Sequence, residues 1–224
     1  EMCIRDRNVK ISILSLVLMA GATSLFADNN DKGIDYYKAG MYSYAKKALF
    51  ENIQSGQTDK AEAYYYLGEI YAAENMKDSA AYCYKQGLVA DPEYVFNTIG
   101  EIKLDLAATP DVDKVLAGFT TGKNKKNPAI FVAIARAYMT DPARKAKVEE
   151  YLAKAKEVGP KSPDVYILEG DLLAADKKIG DAASSYEQAI YFDDQCKEAY
   201  LKYARIYARM NPQLAIDMLS LIHI

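Results

Sequence analysis

The sequence predicts an all-α chain built from antiparallel helix pairs stacked one on another. Three observations carry that reading. Aromatic and small residues recur at spacings of three, four and seven, as in Tyr64, Leu67, Gly68 and Tyr71, which places them on one stripe of a helix. The same pattern returns about every 34 residues along the chain. Between the stripes stand Asp91-Pro92, Asp141-Pro142, Gly159-Pro160 and Asn211-Pro212, each a capping or turn residue before a ring pre-set for a first helical turn. No segment alternates in the strand period.

The elements follow in chain order. Residues 1–7, with Met2-Cys3-Ile4-Arg5-Asp6-Arg7, read as translated library-adapter sequence, and residues 219–224 read as the same oligonucleotide from its other strand. The protein itself is expected to continue past Met218. Residues 8–27 have Lys10, the apolar run Ile11 to Ala20 and small residues ending Leu25-Phe26-Ala27, which describes a cleaved secretory signal peptide. The run is too short for a membrane span of about 20 residues. Residues 28–218 then hold the repeats.

The first unit, 28–59, carries Gly33, Tyr36, Gly40, Tyr42, Ala45 and Leu49. The second, 61–94, carries Tyr64, Leu67-Gly68, Tyr71, Ala80, Tyr84, Gly87-Leu88 and Pro92. In the third, 95–127, Phe96, Ile99-Gly100, Val112 and Leu116 keep the frame, but Lys103 stands where an aromatic belongs and the second helix is confined to about Asp111 to Phe119, so this unit is degenerate. The fourth, 128–162, has Phe131, Ala135 and Tyr138, then with one inserted residue Val148, Leu152, Ala155 and Pro160. The fifth, 163–196, has Tyr166, Gly170, Leu173, Ile179, Ala182, Tyr186, Ala189-Ile190 and Asp194. The sixth, 197–218, has Tyr200, Ala204, Tyr207 and Ala215 and is truncated. Gly40-Met41-Tyr42 and the stretch Glu74 to Asp78 fall at turns inside helix pairs. Gly68 and Ala80 are expected to be small because the two helices cross there, with Tyr64, Tyr71 and Tyr84 filling the space around the crossing.

This order of aromatic, small, aromatic, alanine, aromatic and proline resembles the tetratricopeptide repeat (TPR), in its exported bacterial type. The resemblance implies a right-handed α-solenoid whose first helices line a concave groove that binds other proteins. By the register above, the groove-facing set is Glu62, Tyr65, Glu69, Asn97, Glu101, Val132, Arg136, Asp164, Ile167, Asp171, Leu201 and Arg205. Its acidic middle, with Arg136 and Arg205 farther along, suits an extended peptide carrying charged and apolar groups. The Lys and Asn clamp with which some relatives grip a terminal carboxylate is not present.

Other chemistry is sparse. The single histidine, His223, lies in the terminal adapter stretch, which removes the commonest general base and metal ligand. No catalytic, cofactor-binding or metal site is expected. Of the nineteen tyrosines, most fall at repeat packing positions, while Tyr37, Tyr65 and Tyr66 lie off that stripe, Tyr37 and Tyr65 being the better contact candidates. Cys83 reads as a packed small residue, whereas Cys196, beside Asp193-Asp194-Gln195, reads as exposed and reactive. Lys123 to Asn127 reads as a solvated basic loop, and Gly118 to Lys123 lacks the phosphate-loop spacing. A net charge of −3 with no basic cluster argues against nucleic acid. The expected protein is a non-catalytic scaffold, periplasmic or secreted, touching membrane only through its signal peptide and taking a protein or peptide but no small molecule. The alternative is a docking or sensing part of a longer protein with a C-terminal enzyme or membrane-anchored signalling domain.

Overall fold

The computed structural model describes residues 32–56, 60–208 and 210–221; the adapter and signal segments expected over residues 1–27 lie outside it. Helix α1 (residues 32–38) pairs with α2 (Tyr42–Gln54). Five more pairs follow: α3 (Lys60–Ala73) with α4 (Lys77–Ala90), α5 (Val95–Leu104) with α6 (Val112–Gly118), α7 (Pro128–Tyr138) with α8 (Lys145–Val158), α9 (Pro163–Ala175) with α10 (Ile179–Phe192), and α11 (Lys197–Tyr207) with α12 (Pro212–Ser220). No strand occurs among the described residues.

The pairing is decided at the small residue of each stripe. A Cβ on Gly68 would meet the Tyr84 ring at 2.4, 2.7 and 2.8 Å, and one on Gly170 would meet the same three atoms of Tyr186 at 2.4, 2.7 and 2.8 Å. In the first pair Gly33 faces Leu49 at 2.7 Å. The large residue stands sixteen positions after the glycine each time, and the alanine at twelve (Ala45, Ala80, Ala182) is fully buried. These glycines therefore make room for a side chain of the second helix, not for bare backbone crossing as expected. Tyr84 is held from two sides, since a Cβ on Gly100 of the next pair would also lie 2.5 Å from its ring. One ring thus joins neighbouring units, which is why a single pair cannot bury its stripe alone.

The turns inside the pairs repeat as faithfully. Gly40, Asn75 and Lys177 adopt left-handed φ of 72°, 60° and 62°. One residue later Met41, Met76 and Lys178 donate their N–H to the carbonyls of Tyr36, Tyr71 and Leu173, all at 2.8 Å, the closure that ends a helix through a left-handed residue. The third pair departs from this, as its sequence indicates. After α5 a single 3-10 turn over Leu106–Ala108 leads to Pro110 and to Asp111 at φ 47°, and α6 spans only Val112–Gly118. Val112 and Leu116 still reach the main apolar cluster with Ile99, Ile130 and Tyr138.

Two local expectations change, at the prolines and at Cys196. Pro212 opens α12, whose Asn211 side chain accepts from Leu214 N–H, and Asp141 likewise caps the short turn begun by Pro142. Pro92 and Pro160, however, sit in connecting turns three residues ahead of α5 and α9; Asp91 Oδ1 accepts from Glu93 N–H, and the Pro160 carbonyl accepts from the Tyr166 hydroxyl. The expected adapter junction at Leu219 falls inside α12. Cys196 is buried between α9, α10 and α11 with Ile167, Ala189 and Ala199, not exposed, because the turn before α11 folds its side chain inward.

Candidate binding chamber

The first and last pairs touch. Lys197 Nζ in α11 lies 2.5 Å from Asp35 Oδ2 in α1, 162 positions earlier. At the neighbouring left-handed turn, a Cβ on Gly40 would lie 3.0 Å from Leu201 Cδ2 and 3.4 Å from Arg205 Nη2. Stacked repeats ordinarily contact only their neighbours; here the inner face closes on itself.

The closure leaves a chamber of ≈330 Å³ to which the first helix of every pair contributes: Tyr37 from α1, Glu62, Tyr65 and Tyr66 from α3, Phe96 from α5, Val132 and Arg136 from α7, Asp164 from α9 and Glu198 from α11. A second cavity of ≈200 Å³ shares Tyr37, Lys38, Arg136 and Glu198 with the first and reaches Glu69, Asp171, Leu201, Lys202 and Arg205. An aromatic run forms one wall. Tyr42, Tyr37, Tyr66, Tyr65 and Phe96 follow one another with ring centroids 5.2 to 6.1 Å apart, within the range of favourable offset and edge contacts. Burial holds the Tyr37 and Tyr65 phenols well above their ordinary range, and the Glu69 carboxylate adds to both.

Two carboxylates of the inner face are already spoken for. Glu69 accepts from the Tyr84 hydroxyl at 2.6 Å and from Lys103 Nζ at 2.5 and 2.6 Å. Asp171 accepts from the Tyr186 hydroxyl at 2.9 Å and from Lys202 Nζ at 2.7 and 2.8 Å. In both places an acid one residue after the packing glycine binds the tyrosine of its own pair and a lysine from the next. Lys103, out of place as a packing aromatic, is thus the cation of this arrangement. Burial raises the Tyr84 and Tyr186 phenols, and the adjoining carboxylates raise them further.

Arg136 occupies the middle. Its Nη2 is buried and makes no hydrogen bond, the Glu198 Oε1 lying 3.5 Å away. Burial opposes the charge, but Glu198, the phenols and Asp164 outweigh it, and the guanidinium is held more firmly protonated than usual.

Of the twelve residues expected on the groove, Glu62, Tyr65, Glu69, Val132, Arg136, Asp164, Asp171, Leu201 and Arg205 line these cavities. Asn97, Glu101 and Ile167 do not. Asn97 is fully buried between pairs, its amide donating to the Ala61 carbonyl at 2.9 Å against Gly87. Ile167 belongs to the core around Cys196, and Glu101 turns outward toward Lys85 of α4 at 3.9 Å. In the 34-residue frame the counterparts of Glu62 and Glu69 in α5 are Phe96, which lines the chamber, and Lys103, which binds Glu69, so Asn97 and Glu101 stand off the inner stripe. Glu198, which had no place in the expected set, stands 34 positions after Asp164, so the period alone was enough to find it. The basic stretch Lys123 to Lys126 forms a short 3-10 turn, with Lys123 paired to Glu93, while Asn127 caps α7 and reaches the chamber.

No protein-family model and no curated protein matches the chain. Solved structures do. TTC0263, a thermophilic TPR protein of Thermus thermophilus, is similar at 17% identity and TM-score 0.40, covering 86% of this chain and 87% of its own. PilF of Pseudomonas aeruginosa is similar at 17% identity and TM-score 0.47, with 90% of each chain covered. The MamA protein is similar at 19% identity and TM-score 0.41, covering 74% and 91%. With overlays this loose, the deciding observation is internal: the Gly68–Tyr84 and Gly170–Tyr186 contacts, three units apart, agree to a tenth of an ångström. The fold is that of a TPR array. Among the described residues of the array no helix is long and apolar enough to cross a membrane, and no group of three metal-ligating side chains occurs.

Proposed function

We propose that this TPR array is a non-catalytic, exported scaffold that holds a protein or peptide partner by its inner face. One observation supports the reading above others: a single chamber draws a side chain from the first helix of all six described pairs. Such a surface is set by the stack as a whole, so a partner meets pre-positioned groups and ordering costs fall on the partner alone. The closed form narrows the expected mode of binding. Cavities of ≈330 and ≈200 Å³ take one or two residues of a partner, not an extended segment along the whole groove. Export is inferred from residues 8–27.

The test is quantitative capture from periplasmic extract with the wild-type chain and two sets of variants. Arg205→Glu and Lys38→Glu alter the inner face, while Tyr191→Ser alters an exposed outer position. The inner variants are expected to lose the captured partner at least tenfold with helicity unchanged, and the outer variant to retain it. Equal loss, or no loss, in both sets would remove the inner face from the function.

A further inference from the structure

The chamber combines an accessible guanidinium with a surplus of carboxylates. Arg136 lines it with a side chain 29% exposed, its buried Nη2 resting 3.5 Å from Glu198 Oε1 without a hydrogen bond, so the fork of N–H donors is held in place and its open part can donate to an entering oxygen. Around the same space three carboxylates, Glu62, Asp164 and Glu198, face two cations, Lys38 and Arg136. Glu198 divides its charge between Arg136 at 3.5 Å and Lys202 at 3.4 Å, which leaves the half-buried Asp164 facing the chamber without such a cation clamp. Tyr37, Tyr65 and Tyr66 line the same chamber as Asp164, and aromatic rings attract cations. Burial first, and then Glu62, Asp164 and Glu198 against Arg136, push the Tyr66 phenol upward.

A group that answers both halves carries an ammonium and, a short distance from it, a carbonyl or carboxylate oxygen. We propose that the chamber captures an α-ammonium group together with its adjacent carbonyl oxygen, the chemistry of an unblocked peptide N-terminus. The ammonium lies toward Asp164 and the tyrosine rings, and the oxygen accepts from Arg136. A chamber of ≈330 Å³ admits one or two residues, so a free amino acid shares the chemistry and is the other source. This rests on the partner-binding reading and names the part of the partner that is gripped.

The experiment titrates the full chain with three probes, Ala-Ala-Ala, N-acetyl-Ala-Ala-Ala and free L-alanine, by calorimetry, with intrinsic tyrosine fluorescence as a second readout because the chain has no tryptophan. The free tripeptide is expected to bind saturably, acetylation to weaken it at least tenfold, and L-alanine to bind more weakly than the tripeptide. Asp164→Asn is expected to weaken the tripeptide at least fivefold and to flatten its salt dependence; Arg136→Lys, checked by circular dichroism, is expected to do the same on the oxygen side. Equal binding of the acetylated peptide, or no binding of the free one up to millimolar concentration, overturns the proposal, as does indifference to Asp164→Asn. L-alanine binding as tightly as the tripeptide overturns the peptide source while supporting the recognised group. The two readings separate through the captured partner: if blocking its N-terminus leaves capture intact and Arg205→Glu still abolishes it, this inference fails and the scaffold reading stands.

Discussion

Tyr84 shows how much one side chain carries here. Its ring lies between Gly68 and Gly100, each leaving no room for a methyl group, and its hydroxyl donates to Glu69. The ring has nowhere to move, so Gly68→Ala trades a helix-propensity gain of about 1 kcal/mol against overpacking of about 1–3 kcal/mol. A lower urea midpoint is expected. Gly180→Ala, at an α10 position with nothing within 4 Å, is expected to raise the midpoint through a stability gain of about 0.4–1 kcal/mol. Both cysteines make a second residue-scale case. Burial pushes the Cys83 and Cys196 thiols from 9.0 to about 11. The folded state holds the proton more tightly, so this contribution to stability is complete below the unfolded value and is lost as pH rises through about 11. Urea midpoints measured across that window should fall, and the fall should be shallower in Cys83→Ala/Cys196→Ala. In a Cys3→Ser background a thiol reagent at pH 8 should modify neither cysteine faster than the chain unfolds.

At the scale of elements, the turns and the stripes were legible because each repeats a local rule. Gly40, Asn75 and Lys177 take equivalent left-handed positions, and the glycine and asparagine there announce the turn. Lys177 does not announce it, since a β-carbon is strained at that φ and only the repeat frame locates it. Lys177→Gly should therefore stabilise the α9–α10 pair by about 0.5–1 kcal/mol, read as a higher thermal midpoint, whereas Gly40→Ala should lower it. The degenerate third pair was legible for the same reason: Pro110 breaks the chain where α6 ought to begin, and Val112 and Leu116 keep only its buried face. What Lys103 does was not legible, because its partner Glu69 sits one unit away and the stripe pattern has no place for a cation. A Glu69→Gln exchange leaves Lys103 and the Tyr84 hydroxyl sharing a neutral acceptor, both within a mostly buried site. Loss of about 1–3 kcal/mol is expected by denaturant titration, and the outward Glu101→Gln exchange, at a long contact to an exposed lysine, should cost well under 1 kcal/mol.

The closed inner face belongs to the whole molecule and left no trace in the period. Asp35 and Lys197 are ordinary charges in the sequence, and nothing local joins positions 162 apart. Periodic reasoning places side chains on the inner surface but does not say how tightly the surface curls, which is the sum of small rotations between neighbouring pairs. That sum is what turns a groove for an extended peptide into a chamber for one or two residues. The ion pair itself is a modest clasp, with Lys197 16% and Asp35 47% exposed, and pairs of this kind contribute about 0.2–1 kcal/mol. Lys197→Glu should therefore leave global unfolding within about 1 kcal/mol of wild type, yet release α1, whose residues 32–38 should lose amide protection first. Solution scattering should show a larger radius of gyration, and the second exchange, Asp35→Lys on the Lys197→Glu background, should restore both signals. If α1 keeps its protection in the single variant, then Tyr37, wedged against Tyr42 and Tyr66, holds the ring shut by apolar contact, and Tyr37→Ala becomes the change that opens it.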